Sequence, residues 1–484
     1  MLKLFLTSAL LSVLHAESEN DYYRMVTLPI PKGLWLEVSG IAQLPDGRIA
    51  VCIRKGEVWI IADAYSDPPS SKNVKYARFA SGLHEPLGLT WHNGSLYTAQ
   101  RSEVTRLVDN DGDDVADEYL TAAKGWGVSG NYHEYVYGPV FDPAGNMYVN
   151  LNAAMGKSVI EDRLWRGWSM KKTPEGKLKP FSGGMRSPIG IGVNHIGDVF
   201  ATDHQGNWFP TCPLYQLKKG VFHGHVDALS FKGHPDSTIR DVGKIKQGMT
   251  VGDAAKAIGP YELPAVWFPY EKMGMGSTGI LCDRSDGKFG PFENQLFVGD
   301  FTLALISRVF LEKVDGEYQG ACFPFRKGFE SAVVSLGFGK DGSMFVGQTN
   351  RGWNSVSSKS YGLQRLVWTG KTPFEVKEMK ARPDGFDLAF TKPVDADSAI
   401  ALSSSKMISY TYPYHAAYGG PEIHKKELQF EKIEVSDDGM KVRLKVDGLR
   451  ESFVHELHLD GFRSKDGNPL LHPRAYYTLN RIPK

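Results

Sequence analysis

Residues 183–208, GGMRSPIGIGVNHIGDVFATDHQGNW, contain one copy of a unit that recurs along most of the chain. In this copy, an apolar run at residues 189–193 is followed by a turn and by a second apolar run at residues 199–202. The second run ends in the polar cluster 203–207. This order predicts two antiparallel strands joined by a tight turn, and then a loop that carries polar side chains. Five similar units begin at Ser39, Leu87, Tyr137, Thr278 and Leu336.

The spacing of the units predicts an all-β fold with a six-bladed β-propeller over residues 17–370. Four of the five intervals are roughly 50 to 60 residues, the length of a propeller blade. The interval between the fourth and fifth units is longer and predicts an insertion at about residues 209–275, either over a functional rim or as packing. A strand at residues 23–27 is expected to pair with the last one, at residues 363–368, and so to close the ring.

The repeat ends after Trp368, and the remaining residues show a different pattern. Residues 371–484 alternate apolar and polar side chains and contain several Asp-Gly turns, but they lack the blade spacing. This pattern predicts a small immunoglobulin-like β-sandwich. A chain of 484 residues is also long enough for two domains.

Composition and the N-terminal segment limit the functional classes. The 56 basic and 55 acidic residues nearly cancel, which argues against a nucleic-acid-binding surface. Residues 1–16 have the pattern of a signal peptide, so we expect a secreted or periplasmic protein without a later transmembrane segment; a retained anchor is the alternative. The cysteines have no paired metal-ligand spacing, and buried thiols are favoured over disulfides at Cys52, Cys212, Cys282 and Cys322.

An acidic segment in the second unit predicts a structural calcium site. Residues 109–118, DNDGDDVADE, place carboxylates around a glycine that permits a sharp bend. Such a loop can wrap a hard cation with oxygen ligands, and the predicted ligands are Asp109, Asp111, Asp113 and Asp117. The twelfth position is Leu120 rather than Glu, so the loop is not a regular EF-hand. A solvated acidic turn is the alternative.

Polar side chains next to the predicted strand pairs are candidates for one shared site. Loops between blades converge at one rim of a propeller, so residues distant in sequence can meet there. The catalytic candidates are His84, His133, Arg186 and His204, because histidine suits proton transfer near neutral pH or metal binding. Further candidates in the same loops are Arg54, Glu85, Asn131, Tyr132, Ser187, Gln205, Asn207, Thr302, Asn350, Arg351 and Trp353. The alternative for each histidine is a satisfied side chain in the rim or core.

Three segments resemble the soluble quinoprotein glucose/sorbosone dehydrogenases. With its propeller followed by a small β domain, the chain also resembles the propeller part of larger bacterial haem-binding, membrane-bound dehydrogenase-like proteins. The segments are residues 132–149, the GMRSPIG of residues 184–190 and the DHQG of residues 203–206. The resemblance implies that His133 is the general base for a sugar hydroxyl and that Arg186, with Ser187 beside it, contacts pyrroloquinoline quinone (PQQ). It also implies that Gln205 and Gly206 supply cofactor contacts and backbone calcium ligands.

The chain departs from the pattern of that family in its cations. The family's lysine is absent from residues 298–303, and its arginine pair is absent from residues 330–334. These cations neutralise the carboxylates of the quinone, so Arg351, Arg54 or Lys327 would have to replace them. A cytochrome is a candidate electron acceptor, but no CxxCH motif for covalent haem is present.

Three functions therefore remain open at the level of sequence. The first is an extracytoplasmic sugar or alcohol oxidoreductase with PQQ. The second is a carbohydrate-active lyase or hydrolase in which His84, His133 and His204 hold a transition metal or share acid and base roles with Tyr132 or Tyr135. The third is a non-catalytic carbohydrate-binding propeller with a platform formed by Trp126, Trp208 and Trp353.

Overall fold

The computed structural model describes residues 17–156, 161–401 and 405–484; the predicted signal peptide, residues 1–16, lies outside the described residues. Within these ranges the chain is built mainly of antiparallel strands, together with a few short helices. The helices are the α-helices Glu19–Tyr22, Val251–Ala257 and Ala396–Ile400 and the 3-10 helices Glu161–Arg163 and Val226–Phe231. None of these helices has the length or the apolar character needed to span a bilayer.

The six repeated units each form the strands of one four-stranded antiparallel blade. Blade 1 contains Val38–Gln43, Ile49–Ile53, Glu57–Ala62 and Lys75–Ala80. Blade 2 contains Leu89–His92, Ser95–Ala99, Glu103–Val108 and Glu118–Lys124. Blade 3 contains Val136–Phe141, Met147–Leu151, Trp168–Lys172 and Lys179–Gly183. Blade 4 contains Ile191–Val193, Val199–Thr202, Cys212–Gln216 and Val266–Phe268.

The last two blades complete the ring. Blade 5 contains Ser277–Cys282, Leu296–Asp300, Leu305–Val314 and Glu317–Lys327. Blade 6 contains Val333–Phe338, Met344–Thr349, Tyr361–Trp368 and the N-terminal strand Tyr23–Thr27. In this blade Met25 lies opposite Leu366, which confirms the predicted closure by the N-terminal strand.

The first strands of the six blades lie next to one another in a closed circle, as in a β-propeller. Their close approach depends on glycine: a Cβ added to Gly88 would lie 2.4 Å from the carbonyl oxygen of Gly138. Each first strand begins, and each second strand ends, at the same rim. The polar residues that flank these strand pairs are therefore brought to one end of the ring.

The insertion is shorter than the sequence indicates and belongs to blade 4. Residues 217–265 connect the third and fourth strands of that blade, so the two strands Cys212–Gln216 and Val266–Phe268 are part of the ring. The insertion contributes the short strand Met249–Thr250 and buries the side chains of Val251, Ala254 and Ile258 in the hydrophobic core. It thus packs against the blades, which was one of the two alternatives.

The residues after the ring form two sheets. One contains Val376–Arg382, Gly385–Phe390, Lys441–Val446 and Phe430–Val435. The other contains Arg474–Leu479, Phe453–His458, Lys406–Thr411 and Ile423–Leu428, and it continues directly from blade 5, because Cys322 pairs with Tyr476. The short strand Pro413–Tyr414 pairs with Met249–Thr250.

Blade 5 and the C-terminal sheets share one hydrophobic core. It includes Phe310 and Phe323 from the blade together with Phe386, Leu444 and Tyr477 from the C-terminal residues. An immunoglobulin-like topology for residues 371–484 stays a prediction. All four cysteines are free and buried, as the preference for thiols over disulfides predicts.

Candidate active site

A cavity of about 360 Å³ opens at the rim where the strand pairs deliver their polar residues. It is lined by residues from several blades and by one residue from the C-terminal part of the chain. The polar and aromatic lining residues are Ser39, Arg54, Tyr132, His133, Tyr135, Tyr137, Asn152, Arg186, Ser187, His204, Phe301, Thr349, Arg351, Trp353 and Tyr418. His133 and Arg186 therefore share one pocket, as the repeat pattern predicts.

The imidazole of His133 is fixed by hydrogen bonds on both ring nitrogens. Its Nδ1 lies 2.6 Å from the carbonyl oxygen of Ala153, and its Nε2 lies 2.9 Å from Oγ of Ser187. Because a carbonyl can only accept, Nδ1 carries the proton and donates it, and the bare Nε2 accepts from the Ser187 hydroxyl. The three groups form a chain in which Ser187 donates to His133 and His133 donates to the backbone.

His133 is neutral near pH 7. Burial lowers the pKa of His133 to about 4; the Ala153 carbonyl opposes this effect, whereas the positive charge of Arg186 adds to it. A guanidinium N–H of Arg186 also donates to Oγ of Ser187 at 3.0 Å. Oγ of Ser187 thus accepts from Arg186 and donates its own proton to Nε2 of His133, which can take up that proton.

The loop that carries Arg186 and Ser187 is held by a buried carboxylate, Asp203. Its oxygens accept the backbone N–H groups of Arg186, Ser187 and His204, each at 2.7 Å. Burial raises the pKa of Asp203 to about 7, and the three N–H groups oppose that rise. Asp203 lies at the end of the second strand of blade 4, so the carboxylate ties both ends of the strand pair together.

The guanidinium of Arg186 is without a carboxylate partner among the described residues. Its Nε is buried and makes no hydrogen bond. One face of the guanidinium lies 5.1 Å from the ring centroid of Tyr418, and the other side packs on Gly206, where a Cβ would lie 2.4 Å from Nε. Arg186 therefore brings to the pocket a guanidinium that has no ion-pair partner in the described part of the chain and can meet an anionic group.

The loop of Gln205 and Gly206 is covered by the C-terminal part of the chain. The carbonyl of Gly206 accepts the backbone N–H of Gly419 at 2.9 Å, and the side chain of Gln205 donates to the carbonyl of Pro210 at 3.0 Å. Neither residue lines the pocket, so the structure does not bring them to the site that the resemblance implies for them. The absence of a side chain at Gly206 instead leaves the space that the Arg186 side chain occupies.

Two further arginines line the pocket, and a third supports it. The guanidinium groups of Arg54 and Arg101 lie 4.7 and 4.6 Å from the centroid of the Tyr135 ring, and both pair with Glu85. Arg351 pairs with Glu37 at 2.9 Å. Four guanidinium groups, including that of Arg186, thus face three carboxylates, those of Glu37, Glu85 and Asp203, which leaves an excess of positive charge around the pocket.

The three candidate histidines do not meet. His204 lines the pocket, and its Nε2 has no hydrogen-bond partner; burial lowers its pKa to about 3. His84 is exposed and outside the pocket, whereas the neighbouring Glu85 is half-buried and pairs with Arg54 and Arg101. In the described ranges, the acidic trio of Asp109, Asp111 and Asp117 is the one group of at least three residues that could hold a metal ion. The structure therefore does not bring His84, His133 and His204 together as the predicted transition-metal site.

The acidic loop is partly as predicted. Ligand atoms of Asp109, Asp111 and Asp117 lie within 4.8 Å of one another, whereas Asp113 is outside this group and accepts the N–H of Val115. The loop joins the third and fourth strands of blade 2, away from the rim of the pocket. Any cation held here would be structural.

Aromatic rings surround the mouth of the pocket. Tyr132, Trp353 and Tyr418 are 70%, 65% and 56% exposed. Of the three predicted platform tryptophans, Trp353 lines the pocket, whereas Trp126 is buried and Trp208 packs against Tyr414. Sequence reasoning missed Arg101. Arg101 could have been found, because it follows the second strand of blade 2 much as Arg54 follows that of blade 1.

Comparisons with known proteins agree with this architecture. A family model described as a domain of unknown function, DUF7133, matches residues 42–322. No curated protein sequence matches the chain. A protein of Thermus thermophilus described as an oxidoreductase (glucose dehydrogenase) is 18% identical, with a TM-score of 0.50 over 71% of this chain and 100% of its own.

Two further structures are similar. A Trichoderma reesei protein of the carbohydrate-active enzyme family AA12 is 13% identical, with a TM-score of 0.50 over 75% of this chain and 100% of its own. The soluble aldose sugar dehydrogenase of Escherichia coli is 15% identical, with a TM-score of 0.49 over 71% of this chain and 99% of its own. At such identities the likeness to the Thermus thermophilus protein and that to the family AA12 protein show a shared fold.

Proposed function

The chain belongs to the DUF7133 family, whose description gives no activity, and we propose that its pocket oxidises a hydroxyl group of a sugar or related alcohol. The observation that carries this proposal is a neutral imidazole, His133, joined to the hydroxyl of Ser187 beside an unpaired guanidinium. Oxidation of an alcohol requires a proton acceptor at the hydroxyl and stabilisation of negative charge on its oxygen. Two proteins of the same fold are described as a glucose dehydrogenase and a carbohydrate-active enzyme, which supports the substrate class.

The proton path follows from the hydrogen bonds. A substrate hydroxyl that reaches the pocket wall meets Oγ of Ser187, which already donates to Nε2 of His133. The substrate proton passes to Oγ as the Ser187 proton passes to Nε2. Arg186, whose guanidinium lies 3.0 Å from Oγ, stabilises the negative charge that develops on the substrate oxygen. The exposed rings of Tyr132, Trp353 and Tyr418 offer faces for sugar rings at the mouth.

The residues present fit an anionic, planar cofactor such as PQQ. The excess of guanidinium groups over carboxylates in the pocket can compensate the cofactor's carboxylates. Arg186, Arg54 and Arg351 would hold them, so two of the three candidate replacements for the missing lysine and arginine pair do line the pocket. Lys327, the third, is exposed and outside it. When bound, the quinone supplies the acceptor for the hydride of the alcohol carbon.

The test compares variants of His133, which lines the pocket, and of His84, which lies outside it. Purified protein is incubated with PQQ and Ca²⁺, and reduction of a dye is followed with a panel of aldoses. We expect His133→Gln to lower kcat/KM by about 100-fold or more, the usual contribution of a general base. The matched control, His84→Gln, lies outside the pocket and should retain the activity. Absence of PQQ-dependent dye reduction in the wild-type protein would refute the proposal.

Location, electron acceptor and calcium complete the proposal. We propose that the protein acts outside the cytoplasm, as the signal-peptide pattern of residues 1–16 indicates, and passes electrons to a cytochrome. We also propose that the trio of Asp109, Asp111 and Asp117 binds Ca²⁺, because three carboxylates this close repel one another without a cation. Calorimetric titration of Ca²⁺ into the chelator-treated protein tests this; Asp111→Asn should abolish binding, and equal binding would refute the site.

A further inference from the structure

We propose that Ser187 is a nucleophile activated by His133, and that the pocket hydrolyses small carboxylic esters, including lactones of sugar acids. This activity needs no redox cofactor and goes beyond the proposed oxidation. It rests on the contact between Oγ of Ser187 and Nε2 of His133, at 2.9 Å, within the wall of an open pocket.

The geometry is that of a nucleophile, a base and a group that orients the base. The carbonyl of Ala153 takes the place that a carboxylate often has, and it fixes the tautomer that leaves Nε2 bare. The nucleophile is rigidly held, because its backbone N–H donates to Asp203 at 2.7 Å. Ser187 is 3% exposed and therefore lies almost wholly within the pocket wall.

Ser39 is a serine of the same pocket whose hydroxyl has, in the ranges described, no imidazole beside it. Ser39 also lines the cavity and is buried, but its hydroxyl donates to the carbonyl of Pro86 at 2.6 Å. A carbonyl cannot remove the proton, so Ser39 has no base to activate it. The two serines form a natural pair for comparison.

The reaction balances with water alone. Oγ of Ser187 adds to the ester carbonyl carbon while its proton moves to Nε2 of His133. The bond to the leaving alkoxide breaks, and that oxygen takes the proton from Nε2. Water then attacks the acyl group on Ser187, gives its proton to Nε2 and releases the carboxylic acid; Oγ recovers that proton. With a lactone the leaving oxygen stays in the product, which is a single hydroxy acid.

Arg186 can stabilise the oxyanion that forms when Oγ of Ser187 adds to the ester carbonyl. Its guanidinium donates to Oγ at 3.0 Å, and its buried Nε is without a hydrogen bond. The oxyanion forms on the carbon attached to Oγ and therefore lies beside this positive charge. The same charge disfavours the imidazolium of His133, so the oxyanion and the imidazolium must form together, as they do in the addition step.

The lactone substrates link the two activities, and this link alone rests on the proposed function. Oxidation of the anomeric hydroxyl of an aldose yields the cyclic ester of a sugar acid. A nucleophile in the same pocket would open that ester to an acid, whose carboxylate suits the positively charged lining. The reaction that supplies the substrate is thus an oxidation at an anomeric carbon.

The first experiment uses the purified wild-type chain and a fluorophosphonate probe, with peptide mass spectrometry to locate the label. We expect one labelled residue, Ser187. Labelling should disappear in Ser187→Ala, fall at least about 100-fold in rate in His133→Gln, and persist in the control Ser39→Ala. Circular dichroism and thermal melts establish that each variant folds. An unlabelled Ser187 in the folded wild-type protein, or labelling that does not depend on His133, overturns the proposal.

The second experiment measures turnover of p-nitrophenyl acetate and of glucono-1,5-lactone without added PQQ. Both rates should fall in Ser187→Ala and His133→Gln and remain in Ser39→Ala. Turnover above the solution rate that is equal in all four proteins would overturn the proposal, as would a wild-type rate no faster than solution. Loss of dye reduction with retained ester hydrolysis would refute the oxidoreductase alone, so the two failures are distinguishable.

Discussion

Gly206→Ala should displace the guanidinium of Arg186 and weaken anion binding while leaving the fold intact. A Cβ at Gly206 would lie 2.4 Å from Cδ and Nε of Arg186. Carbon atoms in contact are about 3.5 to 4.0 Å apart, so the Arg186 side chain must move by at least about 1 Å. That shift breaks the 3.0 Å hydrogen bond between Arg186 and Ser187. A displaced guanidinium would also lose a hydrogen bond to a carboxylate of PQQ; a hydrogen bond to a charged group is worth about 1.5 to 3 kcal/mol, or roughly 10- to 150-fold in affinity for PQQ.

The assay is calorimetric titration with PQQ, with thermal melts of each variant. Gly233→Ala is the matched control, because a Cβ there meets no atom within 4 Å. Arg186 is long and can yield, so we expect Gly206→Ala to cost about 1 to 2 kcal/mol of stability at most. A Gly206→Ala protein that binds PQQ as tightly as Gly233→Ala would refute the assignment of Arg186 as the anion-binding group.

Three further predictions concern the supports of the site and of the ring. Burial alone would lower the pKa of His472, but the carboxylates of Glu375 and Glu19 outweigh it and raise that pKa to about 9. The raised pKa of His472 adds at most about 3 kcal/mol to the free energy of unfolding. This contribution should be complete below about pH 6.5 and lost as the pH rises through about 9. Urea unfolding should show the loss in the wild type but not in His472→Gln. Asp203→Asn should lower the free energy of unfolding by about 2 kcal/mol, because one of three N–H groups then faces an amide NH₂; unchanged urea curves would contradict this. Tyr418→Ala should weaken PQQ binding roughly two- to fivefold in calorimetry, since an exposed cation–π contact is worth about 0.5 to 1 kcal/mol; equal affinity would show that the ring does not hold Arg186.

The ring was predictable because its physical causes are local. Alternating apolar runs and glycine-opened strands specify each blade, and a fixed spacing specifies their number. The meeting of His133 and Arg186 followed from the same reasoning, since each precedes the first strand of its blade. Residues at equivalent places in neighbouring blades are brought to the same rim.

The contacts inside the site could not be predicted in the same way. His84 occupies an equivalent position, yet it is exposed and lies outside the pocket, and the neighbouring Glu85 has a left-handed backbone with φ of 47°. Tyr418 comes from outside the repeat, and no period places it beside Arg186. The hydrogen bond between Ser187 and His133 depends on distances between two blades, which spacing alone does not give.

The eight-stranded sheet that joins blade 5 to the C-terminal strands bears on how this protein can be divided. A chain ended at residue 370 would leave Glu317–Lys327 as an uncovered edge and strip Phe310 and Phe323 of their apolar neighbours. Such a fragment would invite self-association through that edge. In this chain the C-terminal sheets are thus joined to the ring by a backbone ladder and a shared core rather than by a flexible linker.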